Sequence, residues 1–213
     1  MLFPKENRRV VFAGVATMTR AGQEAGGVAK MLRGIEVVVE RHPGVNILVH
    51  THTYKLAKEV SEHLRRNCKV VLGGRPVVTY SSSWDRDDAL ATFKAAARGR
   101  GAVMVAASMD RGVDLPGDLC RVQVIAKVPM ASLGSRQVSE RMRGRGGQLW
   151  YLANTVRTVM QMCGRAVRGR DDYAITYVLD AHFGKVLGDG KKLGLWPEWW
   201  IEGLEVGRVR EYV

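Results

Sequence analysis

Short apolar, β-branched runs alternate along this chain with longer stretches in which apolar residues recur every three or four positions. The first pattern is that of buried strands and the second that of amphipathic helices. The runs predict strands at 10–13, 46–50, 69–72, 77–79, 102–106, 122–127 and 175–179, and the periodic stretches predict helices at 24–41, 54–67, 86–97 and 150–168. In the first helix Val28, Met31, Leu32, Ile35, Val38 and Val39 form one stripe, and His42, Pro43 and Gly44 stop it. The second turns Leu56, Ala57, Val60 and Leu64 inward and Lys55, Lys58, Glu59, Glu62 and Arg65 outward. Such alternation predicts an α/β fold, a mostly parallel sheet covered by helices on both faces.

Two stretches depart from it. Residues 131–149 are rich in small residues and glycine and carry Arg136, Arg141, Arg143 and Arg145, which predicts a mobile basic insertion. Residues 194–213 carry Trp196, Trp199 and Trp200, a segment expected to dock on the domain or on a neighbour. The 213 residues suffice for one domain with a full core.

Charge adds the first hint of a partner. Lys and Arg number 33 against 21 Asp and Glu, a net charge of +12. The excess is concentrated at 98–170, with 13 basic residues against 4 acidic ones. A polyanion is the expected partner, and arginine's rigid fork suits phosphate. No apolar run approaches the roughly 20 residues that a membrane span needs, so no membrane is expected. The charged start and the three scattered cysteines, Cys68, Cys120 and Cys163, suggest a reducing, intracellular setting, the cytoplasm of a bacterium or a phage host included.

Searches for familiar chemistry are informative through what they do not find. No GxxxxGK[ST] loop occurs: Gly184-Lys185 is followed by Val186 and Gly190-Lys191 by Lys192, where a hydroxyl is needed. The glycines of 21–27 lack the spacing of a dinucleotide fingerprint and read as a surface loop. There is no DExH or DExD box, and Asp180, followed by Ala181, reads as a turn or cap residue. His50 and His52 alternate along a strand and the cysteines lack zinc spacing, so no metal site is expected.

One segment stands out. On a helix continued to 168, Asn154, Arg157, Gln161, Arg165 and Arg168 share a face opposite Val156, Val159, Cys163, Ala166 and Val167. Neither Arg157 nor Arg165 has a carboxylate at four residues, although Asp171 and Asp172 follow, Asp172 four residues after Arg168. The stripe either serves an external anion or is a solvated face balanced by those acids.

The same residues carry a resemblance. QMCGRAVRGRDDY at 161–173 fits the QxxGRxxR pattern of motif VI in superfamily 2 helicases, and its continuation to VLDAHF resembles the XPD/DinG branch. MDRGVDLPGD at 109–118 resembles motif V, with Arg111 where this branch usually has Glu; the Arg-Gly pair is familiar from the DEAD-box branch. Residues 46–64 resemble the motif IV strand and helix, 3–10 the lead-in to the second motor domain, 128–142 the stretch between motifs V and VI, and 196–204 the tryptophan-bearing end. The likeness covers residues 3–204. Motifs I and II, which belong to the first motor domain, do not occur in it.

This resemblance implies a RecA-like (P-loop NTPase-like) fold and the role of second motor domain in an ATP-dependent DNA helicase. Arg168, with Arg165, would be the arginine finger reaching the γ-phosphate of ATP, which is held with magnesium mainly by an N-terminal RecA-like motor domain on the parent chain or another. Gln161, Gly164, Gly112 and Asp114 would face the nucleotide. Single-stranded DNA would meet Thr51, Thr53 and Tyr54, at the carboxyl end of a strand where open α/β sheets bind ligands, with Ser108 and Arg111. Tyr54 reads equally as a stacking platform and as helix-start packing. Lacking a P-loop, the chain is expected to be inactive alone. The alternative is a stand-alone nucleic-acid-binding module that has kept the fold without motor activity.

Overall fold

The computed structural model describes residues 4–82, 84–107, 109, 113–167 and 169–207. In chain order the elements are β1 (Arg8–Ala16), α1 (Arg20–Gly22), α2 (Val28–Arg41), β2 (Ile47–His50), α3 (Tyr54–Asn67), α4 (Lys69–Leu72), β3 (Val77–Thr79) and α5 (Arg86–Ala96). There follow β4 (Val103–Ala106), β5 (Val122–Ile125), α6 (Arg136–Arg143), α7 (Gly147–Cys163), β6 (Ala174–Asp180), α8 (Phe183–Lys192), α9 (Glu198–Ile201) and β7 (Leu204–Val206). The strands form one sheet in the order β3-β4-β2-β5-β6-β1-β7, and each neighbouring pair runs parallel.

Alternation along the strands builds a core on each face. Ile47, Val49, Val103, Val105, Val122 and Val124 pack with Met31, Ile35 and Val38 of α2 and Leu56, Val60 and Leu64 of α3. Their neighbours point the other way. Leu48, Met104 and Ala106 meet Phe93 of α5, while Ile125 and Val178 meet Val156 and Val159 of α7, Phe183, Trp196 and Trp200. The tryptophan segment therefore docks on its own domain: Trp196 and Trp200 stack at 4.3 Å and are buried.

Four sequence expectations need correction. Residues 69–72 form the helical turn α4 rather than a strand, closed by the Leu72 N–H donating to the Cys68 carbonyl at 2.8 Å. The β-branched run misleads because Val70 is 94% exposed; only Leu72 is buried. The glycines of 21–27 do not form a loop but a helical lead into α2, kinked at Gly26 (φ +83°). A side chain is excluded at Gly22, where a Cβ would lie 2.1 Å from the Thr17 carbonyl oxygen, and at Gly27, where it would lie 2.5 Å from that of Gly22. Residues 131–149 contain α6, held to α7 by its Arg141 guanidinium lying 4.3 Å over the Trp150 ring. Finally, α7 stops at Cys163, five residues short of the expected end.

Arg75 is an unforeseen structural centre. Buried at 4% exposure, it donates from Nη1 to the His42 carbonyl (2.7 Å), from Nη2 to those of Val39 (2.7 Å) and Val71 (3.2 Å), and from Nε to that of Leu72 (2.9 Å). One guanidinium thus satisfies the carbonyl ends of both α2 and α4. Arg75→Ala is expected to cost about 3 kcal/mol in urea unfolding, because it orphans several buried acceptors at once. Arg75→Lys should recover only part of this, as an ammonium lacks the fork.

Candidate functional site

Because the sheet is parallel, the carboxyl ends of all its strands lie along one edge. Three of the loops there are neighbours through the order β3-β4-β2: Thr51–Tyr54, Tyr80–Ser81 and the chain beyond Ala106. Thr51 is buried and its hydroxyl donates to the carbonyls of Ala106 (3.1 Å) and Thr53 (3.2 Å), so it closes the loop rather than facing outward. Thr53 is the N-cap of α3, its Oγ1 accepting from the Leu56 N–H at 3.3 Å. Tyr54, first residue of α3, is 44% exposed and lies edge-on to Tyr80, with ring centroids 6.1 Å apart. Tyr54 is thus partly packed at the start of the helix and partly presented to solvent.

Tyr54 and Tyr80 line a groove of about 490 Å³ with Lys55, Lys58 and Arg65 of α3. The sequence showed these cations only as the outward face of a helix. The missed signal is the tyrosine at the start of that face, which joins it to the loop edge. His52, just before this loop's cap, takes a left-handed backbone (φ +64°), and its Nε2 lies 2.8 Å from the Met130 carbonyl oxygen.

The second cluster lies at the other end of the sheet. Between β4 and β5 the chain must return from the carboxyl edge to the amino edge, and among the described residues it does so without a crossover helix. Met109, Val113, Leu115 and Cys120 are buried against the face of the sheet, while Asp114, between two of them, is exposed. This segment is tied to the end of α7. The Arg165 Nη1 donates to the Val113 carbonyl, and the Leu115 N–H donates to the Arg165 carbonyl at 3.4 Å. Further on, Asp172 accepts from the Gly117 N–H at 3.2 Å and pairs with Arg121, whose guanidinium covers the Tyr173 ring at 4.1 Å. Asp172 is thus committed to Arg121. Burial pushes the Cys120 thiol up to about 12, so this cysteine packs rather than attacks.

The arginine stripe is consequently not a single helical face. Gly164 ends α7 as its C-cap, with its N–H donating to the Met160 carbonyl at 3.0 Å. Beyond it the chain is drawn into the second core, where Ala166 and Val167 are buried with Val113 and Leu115. Arg165 turns inward with them, at 6% exposure, while Gln161 and Gly164 stay exposed on the last turn and cap. Gln161, Gly164, Arg165 and Asp114 are therefore gathered around one junction, and Thr51, Thr53 and Tyr54 around the opposite edge. Ser108, Arg111, Gly112 and Arg168 lie outside the described residues.

Comparison with known proteins shows the family and the fold. Residues 35–196 match the model of the helicase C-terminal domain. The ATP-dependent DNA helicase chl-1 of Caenorhabditis elegans is 30% identical over 125 residues, 54% of this chain but 14% of that protein. The chain thus matches only about a seventh of that relative's length. Among solved structures, S. tokodaii Xpd4 aligns over 93% of this chain and 38% of its own at a TM-score of 0.58 and 17% identity. S. cerevisiae Dbp5 bound to RNA and ADP BeF3 aligns over 99% and 44% at 0.59 and 14%. These likenesses show a RecA-like helicase fold of the XPD/DinG type; the chain belongs to the helicase C-terminal domain family.

Proposed function

We propose that this chain is the second motor domain of an ATP-dependent DNA helicase, contributing an arginine finger to a nucleotide held across a cleft and part of a track for single-stranded DNA. The observation that supports this most is the return segment between β4 and β5. It leaves the edge that carries Tyr54 and Tyr80 and passes beside Arg165 at Val113 and Leu115, so a strand bound at the first edge and a nucleotide near Arg165 would touch the same stretch of chain. Motion of that stretch couples the two sites. Arg165 positions it from within, and Arg168 is the finger that reaches the γ-phosphate. Magnesium and the triphosphate belong to the partner domain's P-loop and acidic box, and domain closure assembles the site.

ATP turnover with and without single-stranded DNA tests this reading, comparing the chain alone with the longest form its gene encodes. A silent chain and a strand-stimulated long form are expected. If neither hydrolyses ATP, the chain is a stand-alone binding module.

The track makes a separate prediction. Strand binding by the chain should fall steeply with salt, because phosphate contacts dominate it. Tyr54→Ala should weaken it by about 1–3 kcal/mol if a base stacks there. Fluorescence anisotropy of a labelled oligonucleotide at two salt concentrations checks both. Salt-insensitive binding would contradict the groove lined by Lys55, Lys58 and Arg65.

A further inference from the structure

Glu36 of α2, His63 of α3 and Cys68 at the α3–α4 junction converge on the sheet face opposite the return segment. The His63 Nε2 contacts Glu36 Oε1, the Cys68 Sγ lies 3.4 Å from the same oxygen, and the three prospective ligand atoms all lie within 4.8 Å of one another. We propose that these residues form a binding site for a divalent metal of the zinc class, one that clamps α2 to the junction of α3 and α4.

The chemistry of the set favours such an ion. Thiolate, imidazole and carboxylate together suit a borderline-soft divalent cation better than magnesium or calcium, which take oxygen ligands. Bonds of about 2.0–2.3 Å place tetrahedral ligands roughly 3.3–3.8 Å apart, so the side chains need only small rotations to share an ion. The backbone already fixes two of them. The Cys68 N–H donates to the Leu64 carbonyl at 3.1 Å, which ends α3, and the Cys68 carbonyl accepts from the Leu72 N–H, which starts α4. Glu36 and His63 side chains are 30% and 22% exposed, leaving an approach for the ion and room for water as the fourth ligand.

An outer partner is in place as well. The Asn67 amide lies 3.0 Å from the His63 Nδ1. With Nε2 on the metal, Nδ1 carries the proton, and the amide turned by half a rotation presents its oxygen to that N–H, the usual support of a ligating histidine. On binding, the Cys68 thiol gives its proton to solvent, so the ion meets a thiolate, a neutral imidazole and a carboxylate.

The test is titration of the chelator-treated chain with cobalt(II), followed by zinc. One equivalent of cobalt should give a thiolate charge-transfer band and the visible bands of a tetrahedral site, and zinc should bleach both. Cys68→Ser and His63→Ala should abolish the bands, and Cys163→Ser should leave them unchanged. Glu36→Gln, which keeps size and hydrogen bonding, guards against misfolding of the other variants and should weaken cobalt binding at least tenfold. Zinc at a hundred times its Kd should raise the Tm of the native chain by about 5–10 °C, and that of Cys68→Ser not at all. Absence of the charge-transfer band in the native chain overturns the site. So does a band that survives loss of both Cys68 and His63. Cobalt binding with an unmoved Tm overturns the clamp.

Discussion

On the proposed function, Arg168→Ala in the longest form the gene encodes is expected to lower strand-stimulated ATP turnover by roughly 10³–10⁵-fold, the range in which an arginine finger acts. Nucleotide and strand affinity should stay close to native, because an arginine finger would meet charge that develops only in the transition state. Arg165→Ala should differ in kind. Its side chain is buried and donates to the Val113 carbonyl, so its removal frees the return segment as well as altering the proposed nucleotide edge. A loss of turnover is then expected together with about 2–4 kcal/mol of stability, as when a buried, charge-assisted hydrogen bond loses one partner. Steady-state turnover, nucleotide binding and urea unfolding on both variants separate the two roles. Native turnover in Arg168→Ala would remove the motif VI assignment. Native stability in Arg165→Ala would remove the positioning role.

That distinction was not legible in the sequence, and the reason is physical. Helical periodicity places Arg165 and Arg168 on one face only if the helix passes Gly164. Glycine loses more backbone entropy in a helix than any other residue, and here it is the cap. The apolar pair Ala166 and Val167 then follows a different core from that of Val156 and Val159. Where alternation was strict the reading was sound: Ile47 and Val49 against Leu48, and Val103 and Val105 against Met104, each face its own core. It failed at residues 69–72, where β-branched composition stands in for burial that Val70 does not have. Glu36, His63 and Cys68 escaped because their convergence depends on how α2 lies against α3, which no spacing within one segment encodes. Thr53, expected from the sequence to meet a strand, is the N-cap of α3, and a hydroxyl on extended backbone at the start of a helix suits either use.

Asp180→Ala is expected to be among the most destabilising single changes in the chain. The carboxylate, 2% exposed, accepts from the Met18 N–H (3.0 Å) and the His182 N–H (3.0 Å) on Oδ1 and from the Val128 N–H (2.9 Å) on Oδ2. The sequence suggested a turn or cap, and the bond to His182 is of that local kind. The other two are long-range and join the loops that leave β1, β5 and β6 at the carboxyl edge. Truncation to Ala orphans two buried donors and one half-buried one, for an expected loss of about 4 kcal/mol, against the 5–15 kcal/mol that holds a typical domain together. Asp180→Asn decides the cause. Its volume matches that of Asp180, but its NH₂ must replace one oxygen and face a backbone N–H, so it should lose most of the same amount if acceptance by the carboxylate is what matters. Were Asn within about 1 kcal/mol of native in urea unfolding, the loss in Ala would reflect a cavity instead. Because Val128 opens the stretch whose Met130 carbonyl meets His52, the Asn variant should also loosen the edge beside Tyr54. Weaker oligonucleotide binding at temperatures where Asp180→Asn is still folded is the expected sign of that link.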